Sequence, residues 1–106
     1  MNKLNLSSEA KNDLAEIKAY ISMELNNPQA AVSTLKKITK TMRMLRDHAA
    51  IGVPLYAVTH DGDGSHRRFL TSGNYIIFYR SFKDNIYIDR VLYSRRDYIR
   101  VLFGDI

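Results

Sequence analysis

Cysteine is absent from the 106 residues. That excludes a disulfide framework, a thiolate metal site and a thiol nucleophile, and it fits a reducing compartment, by default the cytoplasm. Long apolar runs are missing as well. Residues 1–10 contain no stretch of seven apolar residues such as a secretory signal needs, and nothing approaches the roughly 20 apolar residues of a membrane span. A soluble protein with no membrane partner is therefore expected. No internal repeat, low-complexity segment or second domain is visible, so residues 1–106 read as one domain. A chain of this length buries about 60–70% of its unfolded surface, enough for one modest core.

Positive charge is plentiful and unevenly placed. The formal net charge is +5 and the isoelectric point is near 9.6. The stretch from Arg67 to Arg100 carries seven of the nine arginines, and residues 67–106 hold eight basic against four acidic side chains, so +4 of the +5 belongs to this part. Such a balance favours a polyanionic partner, either nucleic acid or an acidic protein.

Hydropathy periods supply the elements. Residues 3–6 alternate as a strand suited to a sheet edge, and Ser7 offers a helix N-cap with Glu9 in the first turn, where the helix dipole favours an acid. Ala10, Leu14, Ile17, Ile21 and Leu25 form one apolar stripe on a helix running to about Glu24. Asn26-Asn27-Pro28 ends it. Asn27 can cap and Pro28 can open a second helix striped by Ala31, Leu35, Ile38, Met42 and Leu45, giving an antiparallel helical hairpin whose exposed side carries Lys36, Lys37, Lys40 and Arg43. Residues 47–66 lose periodicity and collect Gly52, Pro54, Gly62 and Gly64, which predicts a long loop. Within it, Asp61-Gly62-Asp63-Gly64-Ser65 is not a calcium loop: the required sixth-position glycine is His66 and the twelfth-position acid is Ser72.

Three strands follow, at 67–71, 75–82 and 86–93, the last two joined around Lys83-Asp84-Asn85. The middle one is apolar on both faces and should be central. Ser94 with Asp97 three residues on resembles a capping box for a short C-terminal helix with Ile99, Leu102 and Phe103 on its apolar side. The expected fold class is thus α+β: an N-terminal strand, an antiparallel helical hairpin packed on a mainly antiparallel four-stranded sheet, and a short C-terminal helix.

Several side chains could carry function. Arg95 and Arg96 fall in the first turn of the predicted final helix, where the dipole disfavours each cation by about 0.3–1 kcal/mol; they serve a ligand there, or they pair with Asp89 and Asp97. Arg90 shares a strand face by period two with Ile86, Ile88 and Leu92, and a structural role suits it best. His60 and His66 have the ordinary pKa of a general base but lie in the loop, while His48 complements the dipole at the end of the second helix. Tyr75 and Tyr79 read as core and cross-strand pairs. Tyr98, beside the arginines, can donate a proton or pack on the hairpin.

The opening Ser7-Ser8-Glu9-Ala10, the step from Gly73-Asn74 into Tyr75-Ile76-Ile77-Phe78-Tyr79, and the pair Arg95-Arg96 followed by Asp97-Tyr98 together resemble the RelE/ParE superfamily of toxins from bacterial type II toxin–antitoxin modules. The likeness spans nearly the whole chain. It implies growth arrest by the free toxin and a cognate acidic antitoxin that wraps it, with no cofactor and no metal. It also implies one of two targets, since the fold does not decide between them. RelE-type members cut ribosome-bound mRNA by attack of a 2′-OH on the adjacent phosphate, which needs a proton acceptor, a proton donor and cations; on that reading Arg67, Arg68 and Arg96 hold the phosphate, and Tyr98 or a loop histidine moves the proton. ParE-type members poison DNA gyrase. The residue after the strand tyrosine, arginine in RelE-type enzymes, is Ile76 here, and their C-terminal tyrosine has no counterpart at its spacing. Both departures point to the ParE-like branch. A basic RNA-binding module without toxicity is the remaining alternative.

Overall fold

The computed structural model describes residues 2–54 and 67–94. In chain order the elements are β1 (Lys3–Leu6), α1 (Ser8–Ala19), a π-helical turn (Tyr20–Glu24), α2 (Pro28–Met44), β2 (Val53–Pro54), β3 (Arg68–Ser72), β4 (Tyr75–Phe82) and β5 (Asn85–Tyr93). The strands make one sheet in the order β1-β5-β4-β3-β2. β1 runs parallel to β5 and every other pairing is antiparallel. The α+β class, the N-terminal strand, the helical hairpin and the central position of β4 are as expected. The expected count of four strands is corrected to five, because Val53 and Pro54 pair with Phe69 and Arg68 at the sheet edge. A proline is tolerated in a ladder only at such an edge. The predicted C-terminal helix lies outside the described residues.

Local chemistry explains where the helices begin. The Ala10 N–H donates to Ser7 Oγ at 2.9 Å, and the same hydroxyl donates to the Asp89 carbonyl at 2.7 Å. The Ser7 N–H reaches the Ile88 carbonyl, so this cap also fastens the start of α1 to β5. Asn27 caps α2 by accepting from the Ala30 N–H at 3.1 Å, with Pro28 following it. The end of the first helix differs from expectation. Leu25 N–H bonds to the Tyr20 carbonyl, five residues back, and this wider turn rotates the chain out of the 3.6-residue period. Leu25, predicted to finish the apolar stripe, is 56% exposed as a result.

Both helices cover one face of the sheet. Ala10, Ile17, Ile21, Ala31, Ile38, Met42 and Leu45 pack on Ile77, Tyr79, Ile86, Ile88 and Val91. Each large apolar side chain removed from water here contributes about 1.5–3 kcal/mol. The register of β4 with β5 jumps at one point: Phe78 faces Arg90, yet Tyr79 faces Ile88. Asp89 is therefore an extra residue on β5, a β-bulge that breaks the alternation of faces.

Candidate functional site

The sequence-predicted residues Arg67 and Arg68 enter the sheet side by side and, by alternation, part to opposite faces. Arg68 sits across from Tyr79 on the helix-covered face, and its guanidinium donates to the Gly52 carbonyl at 2.8 Å and the Ala50 carbonyl at 3.4 Å. The buried Tyr79 hydroxyl completes this brace, accepting from the Gly52 N–H and donating to the Ala49 carbonyl, each at 2.9 Å. Burial holds the Tyr79 phenol above its ordinary pKa, opposed in part by the Gly52 hydrogen bond and the nearby Arg68 charge.

Arg67 belongs to the other face. Its Nε lies 3.8 Å from Asp89 Oδ2, and Asp89 also receives a bidentate pair from Arg80, Nε at 2.9 Å and Nη2 at 3.0 Å. Arg80 further lies 6.0 Å from the centre of the Tyr87 ring. Two guanidinium groups thus lie around one carboxylate, and the Arg80 side chain is 48% exposed. The bulge residue Asp89 gathers these cations. Arg96 and Tyr98, the other two predicted site residues, lie outside the described residues, as do His60, His66 and Arg95.

A third feature was not foreseen. Between α1, the π-helical turn and the ends of β4 and β5 runs a groove of about 570 Å³, lined among others by Asp13, Glu16, Tyr20, Leu25, Tyr75 and Tyr93. Tyr20 and Leu25 on its wall are both more than half exposed, Leu25 because the wider turn takes it out of the apolar stripe. Tyr75 and Tyr93 meet edge to face at 5.8 Å. Burial, with the Tyr93 and Tyr20 hydroxyls beside it, pushes the Tyr75 phenol above its ordinary pKa. Such apolar walls with a few polar groups suit the side chains of a docked segment.

Asp13 secures one side of the groove. Only 5% exposed, it accepts from Arg90 Nε and Nη2, both at 2.8 Å, and from the Val91 N–H at 2.9 Å. The last contact replaces a ladder bond that β1, whose pairing ends at Ile88, does not supply. The hydrogen bonds that Arg90 donates to Asp13 raise the Arg90 pKa above its ordinary value. Arg90 is thus structural, as its position implied, although the bulge separates it from the face of Ile86 and Ile88. Among the described residues no three of His, Cys, Asp and Glu are grouped as metal ligands, and no helix is long and apolar enough to cross a membrane.

A family model described as the ParE toxin of the type II toxin–antitoxin system parDE matches residues 4–98. Among solved structures, a chain of the chromosomal ParDE TA system from P. aeruginosa is 21% identical, with 90% of this chain and 98% of that chain covered, at a TM-score of 0.72. At that identity the likeness is one of fold. No curated protein matches the chain.

Proposed function

The chain belongs to the ParE toxin family of type II toxin–antitoxin systems, and from that premise we propose that it arrests growth in the cytoplasm by poisoning DNA gyrase until a cognate acidic antitoxin covers it. Membership in such a system implies the antitoxin partner; the target and the contact surfaces are the proposal. The observation that carries the choice of target is Ile76. Where RelE-type enzymes resemble this strand but place an arginine, this chain has an apolar side chain 8% exposed and paired across the sheet with Leu92. The neighbouring cations support the same reading. Arg68 is spent on two backbone carbonyls, and Arg67 and Arg80 share Asp89, so these three do not converge on a single phosphate. An arginine face anchored by a carboxylate suits instead a protein surface with acidic groups, where fork geometry adds specificity.

The antitoxin is assigned to the tyrosine groove, which offers an apolar trough for one face of a helix or strand. Adding the purified protein separately to a gyrase supercoiling assay and to ribosomes translating a defined message tests the target. Loss of supercoiling with intact message upholds the reading; message cut only when ribosomes are present refutes it and moves the arginines into an active site. Leu25→Glu, on an exposed position, should weaken antitoxin binding at least tenfold while leaving toxicity intact. If the antitoxin binds this variant as tightly as the parent, it does not lie in the groove.

A further inference from the structure

The outward face of α2 carries a row of cations that neither the fold nor the groove uses. From Leu25 to Arg46 the chain contains no acidic residue, and Lys36, Lys37, Lys40 and Arg43 are all exposed. The ion pairs among the described residues join Arg67, Arg80 and Arg90 to Asp89 and Asp13; the four α2 cations have none. Lys36, Lys40 and Arg43 follow one another at spacings of four and three, on the side opposite the buried Ala31, Ile38 and Met42, with Ser33 and Gln29 continuing the line toward the N-terminus. Like charges at these spacings repel each other along a helix. The dipole compensates Arg43, in the last turn, but not Lys36 and Lys37, about two turns from the end.

We propose that this face of α2 binds the phosphate backbone of duplex nucleic acid, independently of the gyrase reading and of the groove. The run from Lys36 to Arg43 rises about 10.5 Å along the helix, and each strand of a duplex presents one phosphate per about 3.4 Å, so the row faces about three phosphates of one strand. Other polyanions fit less well. An acidic peptide draws its affinity from pockets for side chains, and the hollow at Pro28, Gln29, Val32, Ser33 and Lys36 on this face is wide open to solvent. An anionic lipid surface needs an apolar side to insert, and the apolar stripe of α2 is consumed by the core, leaving Val32 and Met44 at the margins.

The test is fluorescence anisotropy of a labelled 20-base-pair duplex of mixed sequence between 50 and 200 mM NaCl. With about three phosphates neutralised, log K should fall against log salt with a slope of about −2.7. The triple variant Lys36→Gln, Lys40→Gln, Arg43→Gln keeps good helix formers and should lower affinity at 50 mM salt at least tenfold and flatten the slope by more than about 2. A control triple, Lys11→Gln, Lys18→Gln, Lys83→Gln, removes the same charge from other exposed positions and should change the slope by less than 1. Equal losses in the two triples would show that net charge alone attracts the duplex and would overturn the assignment. Tighter binding to a polyglutamate peptide or to phosphatidylserine vesicles than to the duplex, abolished by the α2 triple, would overturn it in favour of those partners. Unchanged circular dichroism in both triples keeps folding out of the comparison.

Discussion

Replacing Asp13 by alanine should be among the most damaging single changes available in α1, although the residue is charged and sits on a mainly polar helix. The side chain accepts three hydrogen bonds, two from Arg90 and one from the Val91 N–H. Its loss leaves a buried backbone donor unpaired, worth about 1–3 kcal/mol, and strips the guanidinium of its partner among the described residues. Removing one member of a fully buried pair costs about 3–5 kcal/mol. Arg90 retains 22% side-chain exposure and can draw on water, which places the sum near the lower end, about 3 kcal/mol. In a domain of this size that corresponds to a fall in Tm of roughly 12–24 °C. Urea unfolding followed by far-ultraviolet circular dichroism measures it, with an unchanged m value as the sign that the unfolded state is the same. Asp13→Asn, which keeps an acceptor for Val91, should lose less. The double variant Asp13→Ala, Arg90→Met should be more stable than Asp13→Ala alone, because no guanidinium is then stranded. An Asp13→Ala protein within about 0.5 kcal/mol of the parent, or a double variant whose loss equals the sum of the singles, would refute this account of how α1 is held to β5.

Other perturbations read other parts of the framework. Gly52→Ala would set a Cβ 2.6 Å from Tyr79 Oη and 2.8 Å from the Phe69 carbonyl, so it should cost about 1–3 kcal/mol in thermal unfolding, with no rescue by Tyr79→Phe because the Phe69 contact is backbone. Tyr79→Phe alone strands the Gly52 N–H and the Ala49 carbonyl and should cost about 1–3 kcal/mol. The same variant tests a pH dependence. Tyr79 and Tyr75 are both raised above the ordinary 10.0, so the fold favours their neutral forms; that stability is complete below about pH 10 and lost as pH rises through the folded values, at up to about 1.4 kcal/mol per pH unit for each group. Unfolding midpoints taken from pH 8 to 11 should fall less steeply in Tyr79→Phe than in the parent. Arg80→Ala, which removes an exposed ion pair, should change stability by less than about 1 kcal/mol while weakening gyrase inhibition. An unchanged supercoiling titration would take the Arg67–Arg80 face out of target binding.

Much of the framework was legible because its causes are local. Ser7 and Asn27 accept hydrogen bonds from the N–H groups three residues on, and that requires nothing but the right side chain at the right offset. β4 occupies Tyr75–Phe82 as its doubly apolar pattern implies. Elsewhere the signal was present and unread. Asp13 stands three residues from Ala10 and four from Ile17, both buried, so it lies in the apolar stripe itself, where a buried acid demands a partner. The short strand at Val53–Pro54 was hidden by its proline, which argues against a central strand but not against the edge that it forms. The groove was out of reach, since the turn that exposes Leu25 departs from the period on which the stripe was counted.

The arginine face illustrates a deeper limit. Strict alternation along β5 puts Arg90 with Ile86, Ile88 and Leu92 and says nothing of Asp89 beyond its lying on the reverse side. One inserted residue changes the first of these assignments and leaves the second. At the bulge, Tyr79 faces Ile88 while Phe78 faces Arg90, and Asp89, freed from pairing, accepts Arg80 and approaches Arg67. The neighbouring Arg90 then reaches Asp13 at the strand edge that β1 has left open. Two ion-paired clusters, one beside the groove and one on the arginine face, therefore meet at a single irregularity whose register depends on β1, β4 and α1 together. An irregularity set by three partners distant in sequence leaves no periodic trace in the strand that contains it, so a charge count could find the arginines but not which of them share a carboxylate.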